Sequence, residues 1–250
     1  MMRISIALLW LIVVAVLALF ALAPATLVDR RVAAVTEGKI RIDDAQGTVW
    51  RGRGAIGDSR GTWRIPVAWR IAPLGLARGA VDLEFEASHA SGAPRGRITL
   101  GNGAAEFHNV ELRAPAAALR TLAPVALPVE AGGEWVLSSP EFRYGGGGTE
   151  GAIDFRWDRA RLASNGSVLD LGTLTAHLAP QGGVLAGPLA NVGGDAQIDG
   201  DVALSADGAT LRANIAAGPD VPPDIARTIA SLGTPDPNGV VHVQWQITAR

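Results

Sequence analysis

The chain has 250 residues, of which 48% are hydrophobic and only 18% are charged, a balance that excludes intrinsic disorder and suits one large β-rich domain. The formal net charge of -2 provides no basic field that would attract nucleic acid. Because the chain contains no cysteine, disulfides, Cys-ligated zinc sites, iron–sulfur clusters and thiol nucleophiles are excluded.

The first element in chain order is predicted to be a membrane-spanning helix. No charged residue lies between Ile4 and Val28, and a helix of this length reaches about 37 Å, more than the ~30 Å of a hydrocarbon core. We therefore assign residues 1–28 to a transmembrane signal anchor. The alternative is a signal peptide cleaved after the small-residue segment 21–23, but Pro24 is an unfavourable first residue for a mature chain.

Basic residues flank this segment on both sides, with Arg3 before it and Arg30 and Arg31 after it, so the positive-inside rule does not fix its orientation. A short basic head before an apolar run is typical of signal anchors, which export the chain that follows. We therefore expect a single-pass protein of the cell inner membrane. Residues 29–46 are assigned to a linker and first strand, and residues 47–250 to a periplasmic β domain.

Period-2 alternation of apolar and polar residues dominates the rest of the chain and predicts strands with one buried face. The segment Thr62–Ile71 shows this alternation most clearly, and Pro66 within it predicts an edge strand or a bulge. Its predicted inward residues are Trp63, Ile65, Val67, Trp69 and Ile71.

Further alternating segments follow at Val81–Ser88 and Ile153–Asp158, and both are predicted to be half-exposed strands. Asp207-Gly208 separates two more alternating runs and favours a type I′ hairpin turn. The last predicted strand is Val240–Thr248, whose predicted inward residues are Val241, Val243, Trp245 and Ile247.

Two later segments, Pro115–Leu122 and Pro223–Leu232, are predicted to form short helices, the second of them with proline and aspartate in its first turn. Each segment is followed by a linker and a tryptophan-bearing strand. The two segments are also related in pattern, because Ala118–Leu122 matches Ile225–Ile229 in its order of apolar and polar residues.

This similarity indicates two duplicated halves, residues 39–140 and 141–250. Gly145–Gly148 is interpreted as a flexible loop within the second half. The predicted fold class is therefore all-β: a multi-stranded antiparallel curved sheet or sandwich with two short helices, after one N-terminal transmembrane helix.

Two glycine motifs match catalytic or nucleotide-binding patterns by their spelling. Gly57–Gly61 has the G-x-S-x-G pattern of a hydrolase nucleophile elbow around Ser59, and Gly52–Gly57 has the G-x-G-x-x-G pattern of a dinucleotide site. Both sites require a helix directly after the motif. The predicted strand at Thr62–Ile71 follows instead, so we interpret Gly57–Gly61 as a hairpin turn and assign no catalytic or cofactor-binding residue.

The other residues capable of chemistry are also interpreted as structural. The four histidines lie far apart with no pair at i, i+4, and Asp82, Glu84 and Glu86 alternate along the exposed face of one strand, so we assign no metal site. Tryptophans on strand faces are interpreted as core residues, with a ligand groove as the alternative. The residues concerned are His89, His108, His177 and His242, and Trp50, Trp63, Trp69, Trp135, Trp157 and Trp245.

Several segments, taken in order, resemble the type II secretion system protein N family. The first is Gly47-Thr48-Val49-Trp50-Arg51-Gly52, soon after the predicted anchor, and the resemblance continues over nearly the whole chain. The family has no catalytic motif, so no functional residue is transferred from it. The other matching segments are residues 62–71, 73–74, 79–83, 151–157 and 160–162, the late helix, Gly239 and the Trp245 strand.

This resemblance implies a non-enzymatic accessory component of the type II secretion system. Such a protein is anchored in the inner membrane, is exposed to the periplasm, and is thought to contact the outer-membrane secretin and the inner-membrane platform proteins. No cofactor is expected. Two other classes stay open: an AsmA-like or LptA-like lipid carrier, which requires large apolar residues along an open groove, and an esterase, which depends on Ser59.

Overall fold

The alternating runs of the sequence assemble into one antiparallel sheet of 14 strands that does not close on itself. The computed structural model describes residues 20–88, 93–118, 121, 130–145, 147–164, 167–205, 208–218, 221, 223–230 and 233–248. The strands are β1 Ile40–Gly47, β2 Arg51–Asp58, β3 Arg64–Ala72, β4 Ala80–Ala87, β5 Arg95–Gly101, β6 Ala104–Pro115, β7 Glu130–Gly145, β8 Gly148–Gly151, β9 Ile153–Ser164, β10 Ser167–Gln181, β11 Val184–Val192, β12 Ala196–Ser205, β13 Gly208–Ala217 and β14 Val241–Thr248.

The described helices are short and lie at three places along the chain: α1 Thr26–Val35, α2 Pro73–Leu76 and α3 Pro223–Ala230, with one 3-10 turn at Ala116–Ala118. Strands pair in chain order from β1 to β7 and from β9 to β14, and the short β8 pairs with the end of β7. The predicted all-β antiparallel class is confirmed, and the architecture is a single curved sheet, not a sandwich.

Curvature brings strands together that are not neighbours in the sheet. One buried cluster combines Trp63 and Ile65 with Trp135 of β7, although β3 and β7 are four steps apart in the strand order. Ala118, in the 3-10 turn, lies in the same cluster and is completely buried. The sheet therefore curls so that its inner face packs on itself, with a helical insertion filling the space.

The C-terminal part of the sheet encloses a larger core that is plugged by α3. Ile225 and Ile229 of α3 pack among inward residues of β9 to β14, and Ile229 and Val241 are the largest fully buried side chains. The predicted helix Pro223–Leu232 is confirmed as α3, and its last two residues lie outside the described residues. In the other predicted helix, Pro115–Leu122, residues 116–118 form the 3-10 turn and residue 121 is helical. Residues 119, 120 and 122 lie outside the described residues.

β3 has the two faces that its sequence predicts, but it is not an edge strand. Trp63, Ile65 and Trp69 are buried, whereas Pro66 is exposed on the other face. The strand pairs with β2 on one side and β4 on the other, so the prediction that Pro66 marks an edge or a bulge is wrong. The Pro66 carbonyl accepts a hydrogen bond from Ser88 beyond the last β3–β4 pair, so its missing N–H falls where the ladder has already ended.

The structure also tests three other sequence expectations. Trp245 shares the face of Val241 and Val243 but is 39% exposed, because it lies away from the α3 plug. Gly145 pairs with Gly148 at the end of the β7–β8 ladder, so the predicted loop lies within a hairpin, and Gly146 is outside the described residues. The β12–β13 hairpin is confirmed by the Ser205–Gly208 pair, and its turn residues 206 and 207 lie outside the described residues.

The N-terminal region differs from the sequence interpretation. Among the residues that the structure describes, no helix is both long enough and apolar enough to cross a membrane. Residues 1–19 of the predicted anchor lie outside the described residues. Residues 24–28 pack against the sheet, because Ala25 is buried and its N–H donates to the Gly47 carbonyl. The segment interpreted as a linker contains most of α1.

The proposed junction between two duplicated halves, at residues 140 and 141, falls inside β7. The sheet runs through it without interruption, since β7 pairs with β6 on one side and with β8 and β9 on the other. Each half nevertheless carries a helical insertion that fills the core beneath its strands. The duplication stays a prediction.

Close packing at Gly52 shows why the G-x-G-x-x-G segment lies within a strand. Gly52 of β2 is opposite Trp69 of β3, and a Cβ atom at residue 52 would lie 2.3, 2.7 and 2.9 Å from three carbon atoms of the indole. The indole N–H donates to the Val49 carbonyl at 3.1 Å, which fixes the ring above the glycine. This glycine therefore makes room for a buried tryptophan, not for a phosphate.

Substitution of Gly52 tests this packing. We expect Gly52→Ala to lower the free energy of unfolding by about 1–3 kcal/mol through overpacking, and Trp69→Ala to lower it by about 3–5 kcal/mol. In the double variant the added methyl group has room, so the cost of the glycine change should fall to ~0.5 kcal/mol or less. Urea unfolding measures these costs, with the exposed Arg70→Ala as control. Equal costs of Gly52→Ala in both backgrounds would contradict the contact.

Candidate interaction edges of the sheet

A sheet that does not close has two edge strands, whose backbone N–H and C=O groups are available to other chains unless something covers them. Here β1 and β14 are the two ends of the strand order. Within the described ranges, β1 has β2 as its strand partner and β14 has β13. The two edges differ in how their outward backbone groups are satisfied.

The β1 edge is covered by α1. The carboxylate of Asp29 in α1 accepts a hydrogen bond of 2.8 Å from the Ile42 backbone N–H and also pairs with Arg41 through two hydrogen bonds of 2.9 and 2.7 Å. The Thr36 hydroxyl accepts from the Ile40 N–H at 3.2 Å. Two outward amides of β1 are therefore already bonded within the chain.

The charge on Asp29 is favoured by the same contacts. The hydrogen bond from Arg41 lowers the pKa of Asp29, and it outweighs the partial burial that would raise this pKa. The Ile42 N–H lowers the pKa further. The residue therefore stays ionised at neutral pH and holds the helix on the edge as an anion.

β1 also has two sequence features that discourage pairing. Charged residues occupy its outer positions, and the register with β2 shifts between Asp43 and Gln46, where Asp44 has a φ of 52°. Charges and irregular backbone on an edge strand both impede addition of another strand. β1 is thus sealed by its helix and by its own sequence.

The β14 edge is covered only at its start. Pro235 bridges to Val241, and the Val240 carbonyl accepts from the Asp236 N–H at 2.8 Å. The Asp236 carboxylate accepts from the Val240 N–H at 2.9 Å, and this hydrogen bond is the main reason why the pKa of Asp236 lies below its usual value. This turn ends the covered part of the edge.

Beyond that turn the outward groups of β14 can be assigned by alternation. Val240 directs its N–H and C=O away from β13, and backbone groups of successive strand residues point to opposite sides. His242, Gln244 and Gln246 therefore direct their backbone groups outward. No Asp, Glu, Lys, Arg or Pro occurs between Val241 and Thr248. β14 thus lacks the residues that commonly block an edge.

The G-x-S-x-G segment is the turn between β2 and β3, as its sequence predicts. Ser59 is exposed, and Asp58 before it is buried, with its carboxylate accepting from the Thr62 N–H at 2.6 Å, the Thr62 hydroxyl at 2.7 Å and the Trp63 N–H at 3.2 Å. Burial alone would raise the pKa of Asp58, but these hydrogen bonds outweigh burial and lower it. The segment therefore forms a turn that is stabilised by the buried Asp58 carboxylate, and it is followed by a strand in place of the helix that a nucleophile elbow requires.

The outer face also carries a groove in which Ser138, Asp154 and His177 are neighbours on β7, β9 and β10. His177 Nδ1 lies 2.7 Å from Asp154 Oδ1. Nucleophile activation requires the histidine to lie between the other two residues, whereas here the aspartate does. Ser138 and His177 are two strands, about 10 Å, apart and do not share a proton.

The other histidines are also separate from one another. His108 lies 3.9 Å from Glu106, His242 Nδ1 lies 2.8 Å from Asn214 Oδ1, and His89 is outside the described residues. In the part of the chain that the structure describes, no group of three or more His, Asp or Glu side chains could hold a metal ion. Asp82 and Glu84 instead bond Thr99 and Arg97 across β4 and β5.

The tryptophans divide into two groups. Trp63, Trp69 and Trp135 are buried in the core and Trp157 packs against it, as the sequence predicts. Trp50 and Trp245 instead contribute to surfaces. Sequence reasoning missed the covered edge at β1, because Asp29 and Ile42 are distant in sequence; the only signal was an aspartate in the first turn of a helical segment.

Comparison with protein families gives one match. Residues 38–244 match the model of the family described as Type II secretion system (T2SS), protein N. The match begins just before β1 and ends within β14, so it includes both edges of the sheet. No curated protein and no solved structure matches the chain.

The Asp58 carboxylate predicts a pH dependence of stability. Because its pKa is lower in the folded state, its stabilisation is complete above the unfolded value of about 3.9 and is lost as the pH falls through the folded value. Unfolding free energies measured between about pH 5 and pH 2 should therefore decline less steeply in Asp58→Asn than in the wild type. The exposed Asp201→Asn is the control. An unchanged slope in Asp58→Asn would contradict the assignment.

The covered β1 edge predicts a cost for removing its acceptor. Asp29→Ala leaves the Ile42 N–H without its partner, and we expect a loss of about 1–3 kcal/mol in unfolding free energy. Hydrogen exchange at the Ile42 amide should accelerate in the same variant. Asp43→Ala, an exposed change in the same strand, should alter neither quantity. Retained protection of Ile42 in Asp29→Ala would show that another group seals the edge.

Proposed function

The chain belongs to the type II secretion system protein N family, and from this premise we propose that it is a non-enzymatic accessory component anchored in the inner membrane with its sheet in the periplasm. Family membership supports the role in type II secretion. The uncharged residues from Ile4 to Phe20, which precede the contacts with the sheet, support the anchor, because about 17 residues are the fewest that a membrane-spanning helix needs. The geometry supports a role in binding another protein, because β14 is an edge strand whose outward backbone groups are covered only at its start.

The observation that carries this proposal is the contrast between the two edges. An unpaired edge is a liability that proteins cover, interrupt or charge, and all three devices are found at β1. None of them is found over the described part of β14 beyond His242, whose carbonyl lies near Gly233. A strand left open in this way is suited to receive a strand from a partner, whose backbone supplies the missing hydrogen bonds.

The partner is proposed to be the secretin or an inner-membrane platform protein of the same secretion system. Strand addition at β14 requires a partner segment with extended backbone and small or polar side chains, because the outer face of β14 carries His242, Gln244 and Gln246. The inner face is less accessible, since Val241 and Val243 are buried beneath α3.

The lipid-carrier alternative receives less support. A carrier requires an open apolar groove, whereas the inner face is filled by α3 in one part and by the Trp63, Trp135 and Ala118 cluster in the other. The pockets found in the described residues lie mainly over outer-face side chains, and charged residues from several strands are among those that line them.

Photocrosslinking in intact cells tests the edge. A photoreactive residue at Gln244 or Gln246 should capture the secretin or a platform protein, and the same residue at Asp43 on the covered β1 edge should capture neither. Both positions are exposed, so exposure alone does not favour one of them. Capture from β1 and not from β14 would contradict the proposal.

Proline substitution separates strand addition from other contacts. Gln244→Pro removes an N–H that faces outward, so the β13 ladder should persist and the melting temperature should fall only slightly, while crosslinking from Gln246 should be lost. Val243→Pro removes an N–H that faces β13 and should unfold the strand. Normal crosslinking in Gln244→Pro would show that the partner binds without adding a strand.

A further inference from the structure

One end of the sheet carries an unusual share of exposed apolar side chains. We call it the Trp50 end, and define it by the connections at residues 48–50, 73–79 and 102–103, where β1 stops and β2, β4 and β6 begin. Six of the twelve large apolar side chains that are exposed in the described residues lie there: Phe20, Leu22, Leu74, Leu76, Leu100 and Tyr144. Clustered apolar exposure of this kind marks an interaction surface.

The chain enters the sheet at this same end. The Trp50 indole N–H donates to the Phe20 carbonyl at 2.7 Å, and the two rings lie with their centroids 4.5 Å apart. The Val49 N–H donates to the Ala23 carbonyl at 2.8 Å. The position of Phe20, within the uncharged stretch that begins at Ile4, is thereby fixed against the first hairpin.

Two of the four most exposed large apolar residues among those described lie beside this entry point. The Ile71 N–H donates to the Trp50 carbonyl at 2.8 Å, and α2 begins two residues later. Leu74 in α2 is 81% exposed, and Leu22, two residues after Phe20, is 71% exposed. Neither side chain is needed to fill the core, so their exposure is not explained by folding.

Basic residues accompany the apolar ones. Arg51, the first residue of β2, lies directly opposite Arg70 on the outer face, and both are exposed. Glu84 of β4 lies opposite Arg70 but is hydrogen-bonded to Arg97, so these three arginines face one carboxylate and this part of the outer face is positively charged. Aromatic side chains, exposed leucines and flanking arginines together are the composition of a surface at the boundary between headgroups and acyl chains.

We propose that the Trp50 end of the folded domain docks on the lipid bilayer, with Leu22, Leu74 and Leu76 entering the interfacial region and Arg51 and Arg70 facing anionic headgroups. This inference rests on the proposed anchor, because a span that ends near Phe20 holds this end of the sheet at the membrane surface. It goes further in making the domain itself a membrane-contacting body with a fixed orientation, in place of one that is free on its tether.

The experiment uses the absence of cysteine from the chain. Leu74→Cys and Ser59→Cys are introduced separately into the full-length protein, labelled with an environment-sensitive fluorophore and reconstituted into vesicles of phosphatidylethanolamine and phosphatidylglycerol. Ser59 is the control, because it is also exposed and lies in the β2–β3 turn about 30 Å away, at the other end of the strands. Spin-labelled lipids then report contact with the bilayer by quenching.

We expect the label at residue 74 to be quenched at least about threefold more than the label at residue 59, and Leu76→Cys to behave like Leu74→Cys. Protein that floats with the vesicles but shows equal quenching at both positions would overturn docking while leaving the anchor intact. Protein that fails to float would remove the anchor and docking together. The label at residue 74 could also be shielded to the same extent in detergent micelles as in vesicles, with a shielding that depends on protein concentration. This result would indicate that a second copy of the chain covers the surface, and it would also overturn docking.

Discussion

A single sheet must bury one of its faces without a second sheet to cover it, and the rest of this structure depends on how that burial is achieved. The sheet curls until β3 and β7 share one cluster, and two helical insertions occupy the remaining space. Large indole rings make such curling possible, because one tryptophan spans the gap between strands that do not pair. The glycine opposite Trp69 is part of the same solution, since a side chain there would collide with the ring. The curvature of the sheet therefore depends on the residue type at particular positions, such as the glycine opposite Trp69.

Curling buries the inner face but leaves two edge strands, of which β1 is covered and β14 is covered only at its start. At β1 the helix that leads into the sheet places Asp29 and Thr36 against outward amides, so the segment connecting the N-terminal stretch to the first strand also closes the first edge. At β14 the cover stops at the Pro235 and Asp236 turn. An asymmetry of this kind directs association to one side of the molecule and opposes chain-to-chain stacking through both edges, which is how open sheets aggregate.

The fold class could be predicted from sequence because alternation is a local property: the faces of β3 follow from Thr62–Ile71 alone. The position of β3 within the sheet could not, since Pro66 is compatible with an edge and also with the end of a ladder, and only the β3–β4 pairing decides between them. The alternation of Val240–Thr248 predicts a buried Trp245, but burial also depends on whether another element covers the inner face at that position, and Trp245 is outside the cluster around α3. The sequence predicts a strand at Val240–Thr248 but not that it is an edge, because edges are set by the strand order, and the sealing of β1 depends on contacts between residues 12 and 13 positions apart.

The two proposed surfaces involve different parts of the sheet. The Trp50 end gathers Phe20, α2 and the first hairpin, all next to the covered edge, whereas β14 lies at the far end of the strand order. The open part of β14 runs toward the same end of the strands, because Thr248 pairs with Gly208 where β13 begins, so the two surfaces are separated by their positions in the strand order and not along the strands. The shared fold does not couple the two contacts strongly, because Leu74 and Gln244 are both exposed and neither lies in a buried cluster. Loss of one contact should leave the other intact, so membrane docking would orient the open edge toward its partner without taking part in the binding itself.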